Sequence, residues 1–153
     1  MKPASTNAVL VRRVRAGRAL DSRTVAGRAS KILACLGLRG AELSIVLCDD
    51  AFIRELNRDY RGLDKATDVL SFPQDGAADR AVAVILGDVV ISLETATRRA
   101  RAGRRGLLDE ATALLVHGVL HLVGHDHERP DDAKKMSACA ARLEKAIKRQ
   151  NRY

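Results

Sequence analysis

The spacing of apolar and polar residues changes several times along the chain, and each change marks an element. From Ala8 to Val14 the pattern is that of a strand. From Ser22 to Leu36 it lengthens to a helical stripe of Val25, Ala29, Ile32 and Leu36, which Gly37 ends. Leu43 to Cys48 is a β-rich run. Asp49 and Asp50 then supply caps for a helix that begins at Ala51 and reaches about Tyr60, with Phe52, Ile53 and Leu56 as its apolar face. A polar loop, Arg61 to Thr67, leads into a short strand, Asp68 to Phe72, stopped by Pro73. Gln74 to Arg80 is the most loop-like stretch.

The second half opens on a β-branched run, Val82 to Ile91, interrupted at Gly87 and Asp88. A glycine inside a strand marks a bulge or a close backbone approach. Ser92 is an N-cap for a helix to about Ala102. Leu108 to Val123 is apolar at nearly every turn, including Leu114, Leu115, Val119 and Leu122, so this helix is expected to be buried on most sides and to end at Gly124. Asp131 and Asp132 start a last amphipathic helix through Ile147, followed by a basic tail at Lys148, Arg149 and Arg152. With no repeat or linker, residues 1–153 are expected to form a single α+β domain. It should hold about four strands in a mixed sheet, packed with four to five helices around the buried helix 108–123.

Composition narrows the chemistry. The only aromatic residues are Phe52, Phe72, Tyr60 and Tyr153, so the core must be aliphatic, and base stacking on an aromatic platform is not expected. Lys and Arg number 27 against 19 Asp and Glu, a formal charge of +8 that favours polyanions through counterion release, nucleic acid first among them. Charge alone does not separate that partner from a merely basic protein. Cys35, Cys48 and Cys139 are widely spaced and read as buried or inert thiols. The short apolar run Ala8 to Val11 is too interrupted for a secretory signal, and no segment approaches the roughly 20 apolar residues that cross a bilayer, which points to a cytoplasmic address with no membrane partner.

All four histidines fall within eleven residues, His117-Gly-Val-Leu-His121-Leu-Val-Gly-His125-Asp-His127. On a helix, positions i and i+4 share a face, so His117 and His121 can point at one ion. Gly124 lets the chain turn back and return His127 as a third ligand. Three imidazoles leave a tetrahedral zinc one open position for water, the arrangement of a catalytic site. Imidazole ligands also suit nickel, copper or iron. His125 is read as a non-ligand, and Asp126 as either an outer partner of an imidazole or a loop cap. The spacing also matches the metzincin pattern H-E-x-x-H-x-x-G-x-x-H, but Gly118 stands where the protease glutamate would be.

With Gly118 in place, the histidine string resembles the signature of the YbeY family of rRNA-maturation endoribonucleases. Two further strings agree: Leu56-Asn57-Arg58-Asp59-Tyr60-Arg61 followed by Thr67-Asp68-Val69-Leu70-Ser71-Phe72-Pro73, and Leu86-Gly87-Asp88-Val89-Val90-Ile91-Ser92. The resemblance implies zinc ligands at His117, His121 and His127 and a functionally important arginine at Arg61. A guanidinium fork beside the metal would hold a scissile phosphate and stabilise its developing charge. It further implies a metal-dependent, single-strand-directed endoribonuclease that works with the ribosomal small subunit, matures the 3′ end of its RNA and takes part in ribosome quality control. The chain departs from the common form of the family at His125, where tyrosine is frequent. Its N-terminal third is also unusually rich in Arg and Ala, and Arg12, Arg13, Arg15 and Arg18 are either an RNA-facing patch or a solvated face. Ser71 and Asp88 are candidates to line the cleft.

Two other classes compete: a metal-dependent hydrolase of peptides or small molecules, and a ribosome-associated binding protein with structural zinc. A protease needs a general-base carboxylate beside the metal, and a structural site lacks an open coordination position.

Overall fold

The computed structural model describes residues 6–74, 84–125 and 129–150. Among them, four strands and five helices follow one another as β1 (Ala8–Val14), α1 (Ser22–Cys35), β2 (Ala41–Cys48), α2 (Asp50–Arg61), β3 (Val69–Pro73), β4 (Val84–Ser92), α3 (Leu93–Ala102), α4 (Leu107–Leu122) and α5 (Pro130–Gln150). The sheet order is β1-β2-β4-β3, parallel except where β3 runs antiparallel to β4. This is the expected mixed α+β arrangement. The loop-like stretch Gln74 to Arg80 lies outside the described residues beyond Gln74.

Strand alternation divides the apolar residues between two faces. Ile45, Leu47, Val89 and Ile91 face the larger core with α1, α3, α4 and α5, while Val46, Cys48, Leu70 and Val90 pack under α2 through Ile53 and Phe52. On α1 the buried stripe is Val25, Ala29, Ile32 and Leu33; Leu36, expected on it, is the C-cap and only half-buried. Helix α4 buries nine residues along most of its circumference, as a run apolar at every turn requires. Gly87 answers to both readings of a glycine within a strand. The register shifts opposite it, between Glu42 and Leu43, and a Cβ at φ 132° would stand 2.1 Å from the carbonyl oxygen of Phe72.

Two helix starts are fixed by short side chains. Asp49 Oδ1 accepts from the Phe52 amide at 2.9 Å and caps α2, and Ser92 Oγ accepts from the Thr95 amide at 3.3 Å and caps α3. The two caps are joined through Asp50. Its Oδ1 accepts from the hydroxyls of Ser92 and Thr95, both at 2.6 Å, and its Oδ2 from Arg98 at 2.7 Å. Partial burial alone would raise the Asp50 pKa, but these three hydrogen bonds outweigh it and hold the carboxyl below its usual range.

Candidate active site

Helix α4 lies across β3 and β4 at very close range, and Gly118 is the reason. A Cβ there would meet Val89 Cγ1 at 2.6 Å and Cγ2 at 3.0 Å, so only glycine lets the helix sit this deep. Ser71 on β3 fastens it, its hydroxyl donating to the Gly118 carbonyl at 3.0 Å. Gly118 therefore has a packing role at the place where a protease would carry its glutamate, and no carboxylate fits there.

This docking opens a cleft of about 670 Å³ along one stripe of α4, from Leu114 through His117 to His121. Those residues stand at i, i+3 and i+7, one helical face. The far side of the cleft brings Arg61, from the last turn of α2, to the same space, and Ser71 lines its floor. Three of the four residues singled out by sequence thus share one cleft. His127 lies outside the described residues, as does Asp126, and no group of three metal-ligating side chains occurs among the described ones.

His117 and His121 are of a type that suits a transition metal. His121 Nδ1 lies 3.1 Å from the backbone carbonyl of His125. A carbonyl only accepts, so the tautomer that makes this hydrogen bond carries its proton on Nδ1 and has its lone pair on Nε2, with the kind of outer partner that metal-binding imidazoles usually have. His125 meets His121 through its backbone carbonyl.

Arg61 is placed by a helix ending that sequence reading put one residue early, in the loop. Gly62 adopts the left-handed conformation at φ 70°, with its amide donating to the Arg58 carbonyl at 3.0 Å and the Leu63 amide to that of Asn57 at 3.2 Å. The buried Asn57 then ties down the loop that follows, donating from Nδ2 to the Lys65 carbonyl at 2.9 Å.

Sequence reading missed Arg99, which also lines the cleft. It donates to Asp68 at 2.7 Å and to the buried Glu110 at 3.0 Å, joining α3, α4 and the start of β3. Nothing local distinguished it from the other arginines between 98 and 105. Asp88, by contrast, does not line this cleft; it lies with Ser44, Glu42 and Ile85 beside a separate hollow of about 380 Å³.

The N-terminal arginines are engaged in different ways. Arg13 donates to Ser22 Oγ at 3.1 Å and to the carbonyls of Gly17 and Leu20, holding the β1–α1 connection. Arg15 pairs with Asp49 at 3.8 Å and Glu55 at 3.6 Å and lies over the Phe52 ring. Arg12 and Arg18 are exposed. The thiols also differ from expectation: Cys48 and Cys139 are buried, but Cys35 is exposed. Burial, reinforced by Asp49 and Asp50, pushes the Cys48 pKa up to about 12. No described helix is long and apolar enough to cross a membrane.

Residues 18–148 match the family described as Endoribonuclease YbeY. The protein of that name from Anaeromyxobacter sp. (strain Fw109-5) is 51% identical over 125 residues, covering 82% of this chain and 64% of the relative. Its counterpart from Persephonella marina is 43% identical over 82% of each chain, and Endoribonuclease YBEY, chloroplastic, of Arabidopsis thaliana is 48% identical over 65% of this chain and 17% of its own. The chain spans less than two thirds of the length of the first Anaeromyxobacter relatives, 64% in both. In fold, it is similar to the solution structure of TM1509 from Thermotoga maritima, with a TM-score of 0.67, 22% identity and coverage of 94% and 91% of the two chains. From the match across residues 18–148 and these identities, the chain belongs to the YbeY family.

Proposed function

We propose that the chain is a metal-dependent endoribonuclease that cleaves single-stranded ribosomal RNA. Its setting would be the cytoplasmic maturation of the small-subunit 3′ end and ribosome quality control. The observation that carries this reading is the shared cleft: two helical histidines face the same space as an arginine delivered from another helix. The relatives' name, Endoribonuclease YbeY, supports the reaction class, and the formal charge of +8 suits a polyanionic substrate.

His117, His121 and His127 would hold one ion, most simply zinc. Bound there, zinc supplies an acidified water and a positive charge for phosphodiester hydrolysis. The chain's own residues do the rest. The His125 carbonyl keeps His121 in the tautomer whose Nε2 can bind. Arg61 offers planar paired donors to the phosphoryl oxygens, where charge accumulates during attack. The depth of α4, set by Gly118, brings His117 and His121 to the cleft, His117 exposed and His121 half-buried.

The test compares wild type with Arg61→Lys and His121→Ala on ribosomal RNA, with metal content measured on each preparation. Lysine keeps a charge but loses the fork, so Arg61→Lys should retain metal and fold while single-turnover cleavage falls about a hundredfold or more, with a smaller loss in binding. His121→Ala should lose both metal and cleavage. Full cleavage by metal-loaded Arg61→Lys would remove Arg61 from the reaction, and full cleavage by metal-free His121→Ala would end the metal reading.

A further inference from the structure

We propose that Tyr60 forms a nucleobase-stacking subsite at the rim of the cleft, receiving an unpaired base next to the phosphate held by Arg61; this rests on the RNA-cleaving reading above. Four aromatic residues and no Trp are too few for the multi-ring platform that composition argues against, but one well-placed ring can still stack a single base, so the position of each is informative. Tyr60 is 70% exposed, more than any other large hydrophobic residue among the described ones. A ring of that size is normally buried where a core can take it, and the second core lies directly beneath it.

The ring is also held. Its centroid stands 5.2 Å from that of Phe72, with the planes at 64°, an edge-to-face contact. Phe72 is itself half-buried and packs against the core beneath α2. Part of the ordering cost of a stacking platform is therefore met before any ligand arrives.

Its position fits a nucleotide neighbour of the reacting one. The next residue, Arg61, lines the cleft, and so do Ser71 and Pro73 on either side of Phe72. Strand alternation sends those two toward α4 and Phe72 toward α2, so Tyr60 stands just around the outer edge of the sheet, where β3 is the last strand among the described residues. A single strand leaving the cleft past Arg61 crosses that edge and reaches the ring. Every base has a π-face, so the contact tolerates sequence, but it needs an unstacked base. The subsite thus favours single strands over duplex by chemistry of its own.

The sequence provides a direct reporter. Tyr153 is the only other tyrosine, so in a Tyr153→Phe chain all tyrosine emission comes from Tyr60. The probes are a short single-stranded RNA and a set of the same oligonucleotide, each with one abasic position, bound by stopped flow ahead of turnover. Binding of the intact RNA should quench the emission. Tyr60→Leu, which still covers Phe72, should bind about five- to thirtyfold more weakly, and Tyr60→Phe should bind like wild type. One abasic position should cost wild type a similar factor and cost Tyr60→Leu nothing, the coupling expected of a ring and a base in contact. Unquenched emission at saturating RNA, or an abasic series with no such position, would overturn the subsite. Both of those readouts use wild-type Tyr60 and stand even if the leucine variant fails to fold. If wild type cleaves single-stranded RNA and Arg61→Lys does not, such a result would sink the subsite alone; a wild type that neither binds nor cleaves RNA would take the underlying reading with it.

Discussion

Replacing Gly118 by alanine sets two effects of opposite sign against each other. In a helix interior alanine is favoured over glycine by about 1 kcal/mol, so propensity alone predicts a gain. The packing predicts a loss. The new Cβ would lie 2.6 Å from Val89 Cγ1, whereas carbon atoms rest at about 3.5–4.0 Å, so one partner must retreat by about 1 Å. Val89 has little freedom to do so: it is β-branched, fully buried and held in a strand with a neighbour on each side. Overpacking of this kind costs about 1–3 kcal/mol, and the severity of the contact puts it in the upper part of that range. The net expectation is a destabilisation of about 1–2 kcal/mol, a fall in melting temperature of about 2–8 °C for a chain of this size. Urea unfolding should show a lower midpoint at unchanged slope. Adding Val89→Ala removes both clashing methyl groups, so the double variant should lose less than the sum of the two single losses. If Gly118→Ala is as stable as wild type or more so, propensity governs and the account of helix docking fails.

Three further outcomes follow from the same geometry. Alanine at His117, His121 or His127 should each remove most of the bound metal, while His125→Ala should retain it because His125 acts through its carbonyl; elemental analysis of the four variants decides. Asp50→Asn should destabilise by about 1–2 kcal/mol at neutral pH through weakened charge-assisted hydrogen bonds. The folded pKa of Asp50 is below its unfolded value, so its contribution is present above the unfolded value and lost as pH falls through the folded one. The gap between variant and wild type should therefore close in acid, and a gap independent of pH would refute the assignment. A thiol reagent on the native protein should modify Cys35 quickly and leave Cys48 untouched until unfolding, since only the thiolate reacts and burial suppresses it.

Local chemistry was legible where a single residue type decides the backbone. Gly87 in its strand, Ser92 and Asp49 as caps, and the apolar circumference of α4 all carried their structural meaning in the sequence. Two boundaries were readable but read short. Gly62 is the usual left-handed residue after a helix, which would have ended α2 at Arg61, and Pro130 is suited to the first helical position, which would have begun α5 there. The cleft was legible only in part. The i, i+4 histidines declare themselves, but the encounter of Arg61 with them depends on the order of β3 at the sheet edge. The role of Arg99 depends on Asp68 and Glu110, remote in sequence. Arg13 and Arg15 show the same limit: whether an arginine meets solvent, a carbonyl or a carboxylate is decided by tertiary neighbours.

The Asp50 brace has a mechanical consequence. Helix α2 is a rod of 12 residues, about 17 Å from its first residue to its last, and it is clamped to α3 at one end while Arg61 occupies the other. A tilt of about 5° at the clamp therefore sweeps the guanidinium through about 1.5 Å. Misplacement by about 1 Å is enough to cost a reaction on the order of a hundredfold. On the role proposed for Arg61, a carboxylate remote from the cleft would help to set the aim of the arginine, together with the packing of Phe52 and Ile53 along the helix.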